Sequence, residues 1–166
     1  MNTPFVPNIK YLKKHRRRVK SGVETRRIHL VFANFGIVAS EDGKIFSHHV
    51  EMMRKTITNY FKRNTKVYIR CFPNRSYTRK PFDVRRGSGK GAVESWYYFA
   101  RRNKVLADFT CSSLSEAKNV ARIVNSKLPI AVHLLDQNTD NKLKDKKHQD
   151  SLQHIAEQQK NMKKNE

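Results

Sequence analysis

The sequence predicts an α+β fold with a mostly antiparallel sheet and two helices. Two segments repeat apolar residues at helical spacing: Val50-Met53-Ile57-Tyr60-Phe61 and Leu114-Ala117-Val120-Ala121-Val124. Short runs rich in β-branched and aromatic residues lie before, between and after them. Strands and helices do not alternate strictly, which disfavours a parallel sheet.

Taken in order, residues 1–27 hold Pro4, Pro7, Gly22 and the run Lys13-Lys14-His15-Arg16-Arg17-Arg18. Apolar residues are too sparse there for a core, so an extended arm is expected that orders against its partner. Ile28 to Ala39 reads as a strand, with Gly36 marking a bend or a close backbone approach. Glu41-Asp42-Gly43 is a turn. Ser47 is placed to cap the first helix, because its hydroxyl can accept from an orphan N–H of the first turn. The apolar stripe of that helix is core. Its other face, with Arg54, Lys55, Asn59, Lys62 and Arg63, is open to phosphates or to solvent.

Lys66 to Phe72 sets Val67, Ile69 and Cys71 against Tyr68, Arg70 and Phe72, a half-buried strand ending at Pro73. Pro73–Pro81, with Arg75, Arg79 and Lys80, reads as an exposed loop. A short strand at Phe82–Arg85 leads into a glycine-rich finger at 84–92. Strands at Val93–Ala100 and Lys104–Thr110 flank a tight turn at Arg101-Arg102-Asn103. Ser113 or Ser115 opens the second helix, which stops ahead of Pro129 because a residue preceding proline is pushed out of the helical region. Ile130 to Leu135 closes the domain as a strand. Three parts result: an arm at 1–27, an α+β domain at 28–136 and a charged extension at 137–166. In the extension, Leu152, Ile155 and Ala156 support one solvent-exposed helix but no core.

The net charge is +21, from 35 Lys and Arg against 14 Asp and Glu. It is unevenly placed. The arm holds nine bases against Glu24, and residues 54–104 hold fifteen against Asp83 and Glu94. Self-repulsion of that size calls for a polyanionic partner. Nucleic acid is favoured over a membrane surface: no stretch approaches the ~18 apolar residues of a spanning helix, and the arm lacks a clear apolar helical face. Cys71 and Cys111 stand alone without a CxxC or a close histidine, so buried free thiols are expected and a zinc site is not.

The finger is Arg85-Arg86-Gly87-Ser88-Gly89-Lys90-Gly91-Ala92. Glycine lacks a Cβ, so this backbone can turn left-handed and lie directly against another molecule. Two enzymatic readings fail. A phosphate-binding G-x-x-x-x-G-K-[ST] loop would need glycine at Val84 and Ser/Thr at Gly91. Gly87, Gly89 and Ala92 formally meet G-x-G-x-x-G/A, but that motif needs a following helix, and AVESWYYFA is strand-like. Asp83 and Glu94 fit ion pairs with neighbouring arginines better than a magnesium site. His48-His49 have no metal-ligand spacing with another His or Cys. No catalytic residue, cofactor or small-molecule substrate is therefore predicted. Basic side chains supply phosphate affinity. Tyr11, Tyr68, Phe72, Tyr77 and Trp96 are candidates for stacking on unpaired bases, with half of them expected in the core.

Two stretches carry a family resemblance. Lys62 to Pro73 (KRNTKVYIRCFP) and Arg85 to Trp96 (RRGSGKGAVESW) resemble two motifs of the bacterial-type large-subunit ribosomal protein numbered sixteen, the universal L-sixteen family. The arm from Pro7 to Gly22, Phe32 to Ala39 and Lys127-Leu128-Pro129 follow in family order, so the resemblance covers about residues 7–135. Departures are Arg86 for methionine, Ser88 for lysine, Thr65 and Ala33 for glycine and Tyr68 for tryptophan. The extension has no counterpart in the short bacterial form.

The resemblance implies a hammerhead-like α+β domain bound to large-subunit rRNA near the tRNA entry site and the peptidyl-transferase centre. Carried over, Arg85, Arg86, Gly87, Ser88, Gly89, Lys90 and Gly91 form a finger toward tRNA and adjacent rRNA. Lys10, Lys13, Lys14, Arg16, Arg17 and Arg18 form an rRNA-threading arm, with Lys62, Arg63, Arg70 and Arg75 as further rRNA contacts. Neighbouring ribosomal proteins are implied partners. The rival is a free-standing RNA-binding protein or a nucleotide-dependent enzyme using the loop. Free cysteines fit a reducing compartment. Divergence, Lys- and Asn-rich composition and the extension point to a mitochondrion, with bacterial cytoplasm or plastid as alternatives. No Ser- and Arg-rich amphipathic presequence precedes the arm, which fits an organelle gene or a trimmed leader.

Overall fold

A five-residue strand, β1 (Phe35–Ala39), is buried along its whole length. Successive side chains of a strand point to opposite faces, so β1 must be covered on both. On one side Phe35, Ile37 and Ala39 join the main core. On the other, Val38 packs with Leu30, Val105 and Leu135.

The computed structural model describes residues 7–15, 22–142 and 145. After β1 come β2 (Gly43–Phe46), α1 (Ser47–Tyr60), β3 (Val67–Ile69), β4 (Arg75–Arg79), β5 (Ala92–Ala100), β6 (Val105–Phe109), α2 (Leu114–Asn125) and β7 (Val132–Asp136). The strands form two sheets, ordered β3-β6-β1-β7 and β2-β5-β4. Every neighbouring pair is antiparallel. The expected class is present, divided between two sheets, and a third helical stretch starts at residue 137.

The main core lies where both sheets meet the helices. Ile37, Ile45, Val50, Met53, Ile57, Leu106, Phe109, Val120 and Val124 are all fully buried there. The α1 stripe departs at its end: Tyr60 is exposed and sets its ring edge-on to Phe61, which is partly buried on the core. In α2, Leu114 is likewise exposed at the first turn. Ser47 does not cap α1. Strand β2 runs into the helix without a loop, so Phe46 holds the cap position and donates its N–H to His49 Nδ1 at 3.3 Å.

The strand expected over Ile28–Ala39 begins only at Phe35. Residues 28–34 instead cross the second face of β1 as an irregular segment. Their amides need partners when buried, and carboxylates supply them. Leu30 N–H donates to Asp140 Oδ2 at 3.2 Å, and Val31 and Phe32 N–H each donate to Asp108 Oδ2 at 3.4 Å. Gly36 makes the expected close approach: a Cβ there would strike Leu30 Cδ2 and sit 3.3 Å from the Ala107 carbonyl oxygen.

Two further expectations are corrected. Pro73–Pro81 is not a loop, since β4 pairs along β5 from Arg75↔Tyr97 to Arg79↔Ala92. An edge strand rich in Arg, Ser and Thr matches a loop in composition, because charged residues are what protect a sheet edge. Phe82–Arg85 is not a strand but part of the turn joining β4 to β5. At Arg101-Arg102-Asn103 the chain does turn, with Asn103 at φ 68°, and passes from one sheet into the other. Both cysteines are buried and unpaired, and burial pushes the Cys71 thiol up to about 12.

Candidate nucleic-acid interface

The outer face of the smaller sheet follows from its register. Cross-strand pairs Lys44↔Phe99, Phe46↔Tyr97, Arg75↔Tyr97 and Tyr77↔Ser95 place Lys44, Phe46, Arg75, Tyr77 and Tyr97 on one face. The alternate residues Ile45, Tyr98 and Ala100 pack on the core. Aromatic and cationic groups interleave on the outer face. The Phe46 ring meets Tyr77 edge-on at 5.5 Å and Tyr97 at 6.1 Å, and Lys44 Nζ lies 5.6 Å from the Tyr97 ring centre.

Within the arm, Lys13 and Lys14 reach this face and the finger base. Lys14 N–H donates to Ser76 Oγ at 3.3 Å, and its ammonium donates to the Asn74 carbonyl at 3.3 Å. Lys13 Nζ donates to the Lys90 carbonyl at 3.0 Å, while Lys90 Nζ returns a bond to the Lys14 carbonyl. Arm, β4, β5 and finger base thus enclose a cavity of about 510 Å³. Lys13, Lys14, Arg75 and Lys90, separately proposed as RNA contacts, meet there, together with Lys44. The sequence reading missed Lys44. Its alternation with Phe46 in Gly43-Lys44-Ile45-Phe46 carried the clue, but four residues are a weak strand pattern.

The finger projects from the β4–β5 turn, and every residue from 81 to 90 is exposed. Gly87, Ser88 and Gly89 are consecutively left-handed, at φ 103°, 49° and 87°. Left-handed backbone costs little at glycine and more at serine. Lys80 Nζ donates to the Gly87 carbonyl and ties the loop to its base. Gly91 has a packing reason instead: a Cβ there would lie 2.5 Å from the Arg79 carbonyl oxygen. Glu94 pairs with Arg79 at 3.7 Å, both exposed. Phe82 and Val84 are exposed beside the finger.

Lys62 and Arg63 follow α1 as two exposed left-handed residues, φ 49° and 69°, whose N–H groups close the helix on the Asn59 and Thr58 carbonyls. Arg54 on the same helix is bonded to Glu51 at 2.7 Å and holds that carboxyl below its usual range. Arg70 differs from its companions. Its guanidinium is only 11% exposed, held by Asp108 Oδ2 at 3.4 Å and by the His29 carbonyl. It binds the 28–32 segment to β6 from inside the fold. Lys10 is exposed with its Nζ 5.8 Å from the Tyr11 ring. Arg16, Arg17 and Arg18 lie outside the described residues.

Of the aromatic candidates, Tyr11 is 75% exposed and Phe72 is exposed, whereas Trp96 is buried. Tyr68 stacks on Phe32 at 5.2 Å between ring centres. Among the described residues no group of His, Cys, Asp or Glu is arranged to hold a metal ion.

A small α+β domain with a basic, aromatic sheet face and an exposed glycine finger offers a surface suited to a polyanion. The family model described as "Ribosomal protein L16p/L10e" matches residues 6–135. Relatives include "Large ribosomal subunit protein uL16" of Exiguobacterium sibiricum, 38% identical over 74% of this chain and 83% of the relative. The protein "Large ribosomal subunit protein uL16c" of Staurastrum punctulatum is 36% identical over 79% of this chain and 92% of its own length. That of Cyanidioschyzon merolae is 37% identical over 80% and 92%. The chain belongs to the ribosomal protein L16p/L10e family. It is a structural protein of the large ribosomal subunit and not an enzyme.

Proposed function

We propose that this chain binds large-subunit rRNA near the tRNA entry site and the peptidyl-transferase centre, and that its finger approaches tRNA. The observation that carries this is the finger itself. Its exposed, left-handed Gly87-Ser88-Gly89 backbone is flanked by Arg85, Arg86 and Lys90, in a motif that resembles the family's. A bare backbone can reach a phosphate more closely than a side chain can, and the flanking cations supply the charge. The arm, Lys62, Arg63 and Arg75 hold rRNA phosphates, and Arg70 acts from within by fixing the 28–32 segment. In this way the chain supports subunit assembly and translation beside neighbouring ribosomal proteins.

We assign the chain to a mitochondrial large subunit. Its nearly equal distance from bacterial and plastid relatives, 38% and 36–37% identity, supports a separate lineage, as does the extension past the family match.

Sedimentation of native organelle extract, with mass spectrometry across the gradient, tests both statements. The chain should peak with large subunits from purified mitochondria. A peak among small complexes removes the ribosomal placement, and a peak only in plastid or bacterial subunits removes the mitochondrial one. Joint Arg16→Ala and Arg17→Ala should weaken assembly and make it more salt-sensitive.

A further inference from the structure

We propose that the cavity between arm and sheet receives one unpaired nucleotide of an RNA strand, its phosphate among the lysines and its base against Tyr77. This rests on the RNA-binding reading above and names what one part of that surface recognises.

Charge is the first reason. Lys13, Lys14, Lys44, Arg75 and Lys90 converge on the cavity, and no carboxylate is among the described residues that line it. Like charges held this close repel, so the arrangement is stable with an anion between them. Lysine ammonium groups carry three donors each. Lys13, Lys14 and Lys90 each spend one on a carbonyl that anchors the arm, leaving donors for phosphate oxygens.

Size and lining narrow the anion. A volume of about 510 Å³ lies within the range of small-molecule sites and far exceeds what one phosphate fills. The remaining space is bordered by Tyr77 and Tyr97. Tyr97 is buried and has Lys44 over its ring, whereas Tyr77 is half-buried and held nearly perpendicular to the Phe46 ring, 5.5 Å between centres. A fixed ring beside a phosphate site suits a planar base, and it favours a single strand, because duplex bases already stack on each other.

Position decides for a strand over a free nucleotide. Lys90 belongs both to the cavity and to the finger, so a chain with its base in the cavity continues along the finger's backbone. Lys13 and Lys14 of the arm close over the site, so nucleotide entry must move these two residues.

The test uses the full chain and fluorescence anisotropy with a short labelled single-stranded oligoadenylate, a duplex of equal length, and unlabelled AMP as competitor. Tyr77→Leu should weaken single-strand binding about 5- to 150-fold, the range expected for one lost base stack, and leave duplex binding unchanged. Tyr77→Phe should bind as the parent does. Joint Lys44→Gln and Arg75→Gln should weaken binding and flatten its salt dependence. Ultraviolet crosslinking of the unmodified chain should place adenosine on residues 74–78 or 95–97, a readout that survives any folding defect in a variant.

Equal binding by Tyr77→Leu and Tyr77→Phe, an equal loss on single strand and duplex, or crosslinks confined elsewhere would overturn the pocket while RNA binding stands. Displacement by micromolar AMP would replace the strand with a free nucleotide. If the unmodified chain binds neither RNA, the RNA-binding reading itself fails.

Discussion

His29 and Asp140 lie 111 positions apart in sequence and meet at 2.7 Å, Nδ1 to Oδ1. Asp140 falls beyond the family match, which ends at residue 135. It is 1% exposed, and its second oxygen accepts from the Leu30 N–H. The start of the extension is thereby fastened to the segment that covers the second face of β1.

Asp140 therefore gives the start of the extension a part in holding the domain together. Asp140→Ala leaves the Leu30 N–H buried without its acceptor, a loss of about 1–3 kcal/mol. Truncation after Asp136 should cost at least as much, and truncation after residue 145 much less. Urea unfolding of the three variants checks this, and equal midpoints for all would refute it.

Arg70 and Asp108 form the second fastening. Removing one member strands the other's charge in the interior, which costs about 3–5 kcal/mol. Asp108→Ala and Arg70→Ala should each lower the melting temperature strongly. Neither should change the salt slope of RNA binding, since Arg70 faces Asp108 and not the solvent. A reduced slope in folded Arg70→Ala would instead count Arg70 among the phosphate contacts.

Within the finger, fold and function separate. Gly89 is left-handed at φ 87° with open space where a Cβ would go. Valine there should cost about 1 kcal/mol through backbone strain alone, and impair tRNA-dependent steps more than assembly. Gly91→Ala meets the Arg79 backbone instead and should disturb the β4–β5 pairing. The ratio of assembled subunits to elongation rate in Gly89→Val, set against Arg16→Ala with Arg17→Ala, measures the division of labour. Proportional losses in both would make the finger one more rRNA anchor.

Acid should loosen the domain. Burial, with the charge of His48 nearby, holds His49 below its ordinary 6.5, and burial does the same to His133. Lowered folded values mean that the unfolded chain binds more protons as pH drops below 6.5. Stability is therefore full above that value and declines beneath it. Thermal melts from pH 7.5 down to 5 should show the decline, and His133→Gln should shrink it.

The thiols report the core. With Cys71 pushed up to about 12 and Cys111 also raised by burial, neither is a thiolate near neutrality. Both should resist iodoacetamide until the chain unfolds. Rapid labelling of Cys71 in native protein would mean that the segment joining β3 to β4 opens readily.

Much of this was legible in sequence because it depends on local periodicity. The helical stripe through Val50, Met53 and Ile57, the alternation of Val67, Ile69 and Cys71, and the bare glycines of the finger follow from side-chain spacing and the missing Cβ alone. Tertiary structure decided what needs partners distant in the chain. Residues 28–34 had strand composition, yet their amides found Asp108 and Asp140 instead of a neighbouring strand. Arg70 had the alternation of an exposed cation, yet a buried carboxylate drew it inward. Arg75 to Arg79 looked like a loop until β5 supplied its ladder. Lys13, Lys14, Lys44, Arg75 and Lys90 became one cavity only when the antiparallel register and the arm brought them together. Composition records a residue's own preference, whereas hydrogen-bond partners and charge neighbours are set by the fold as a whole.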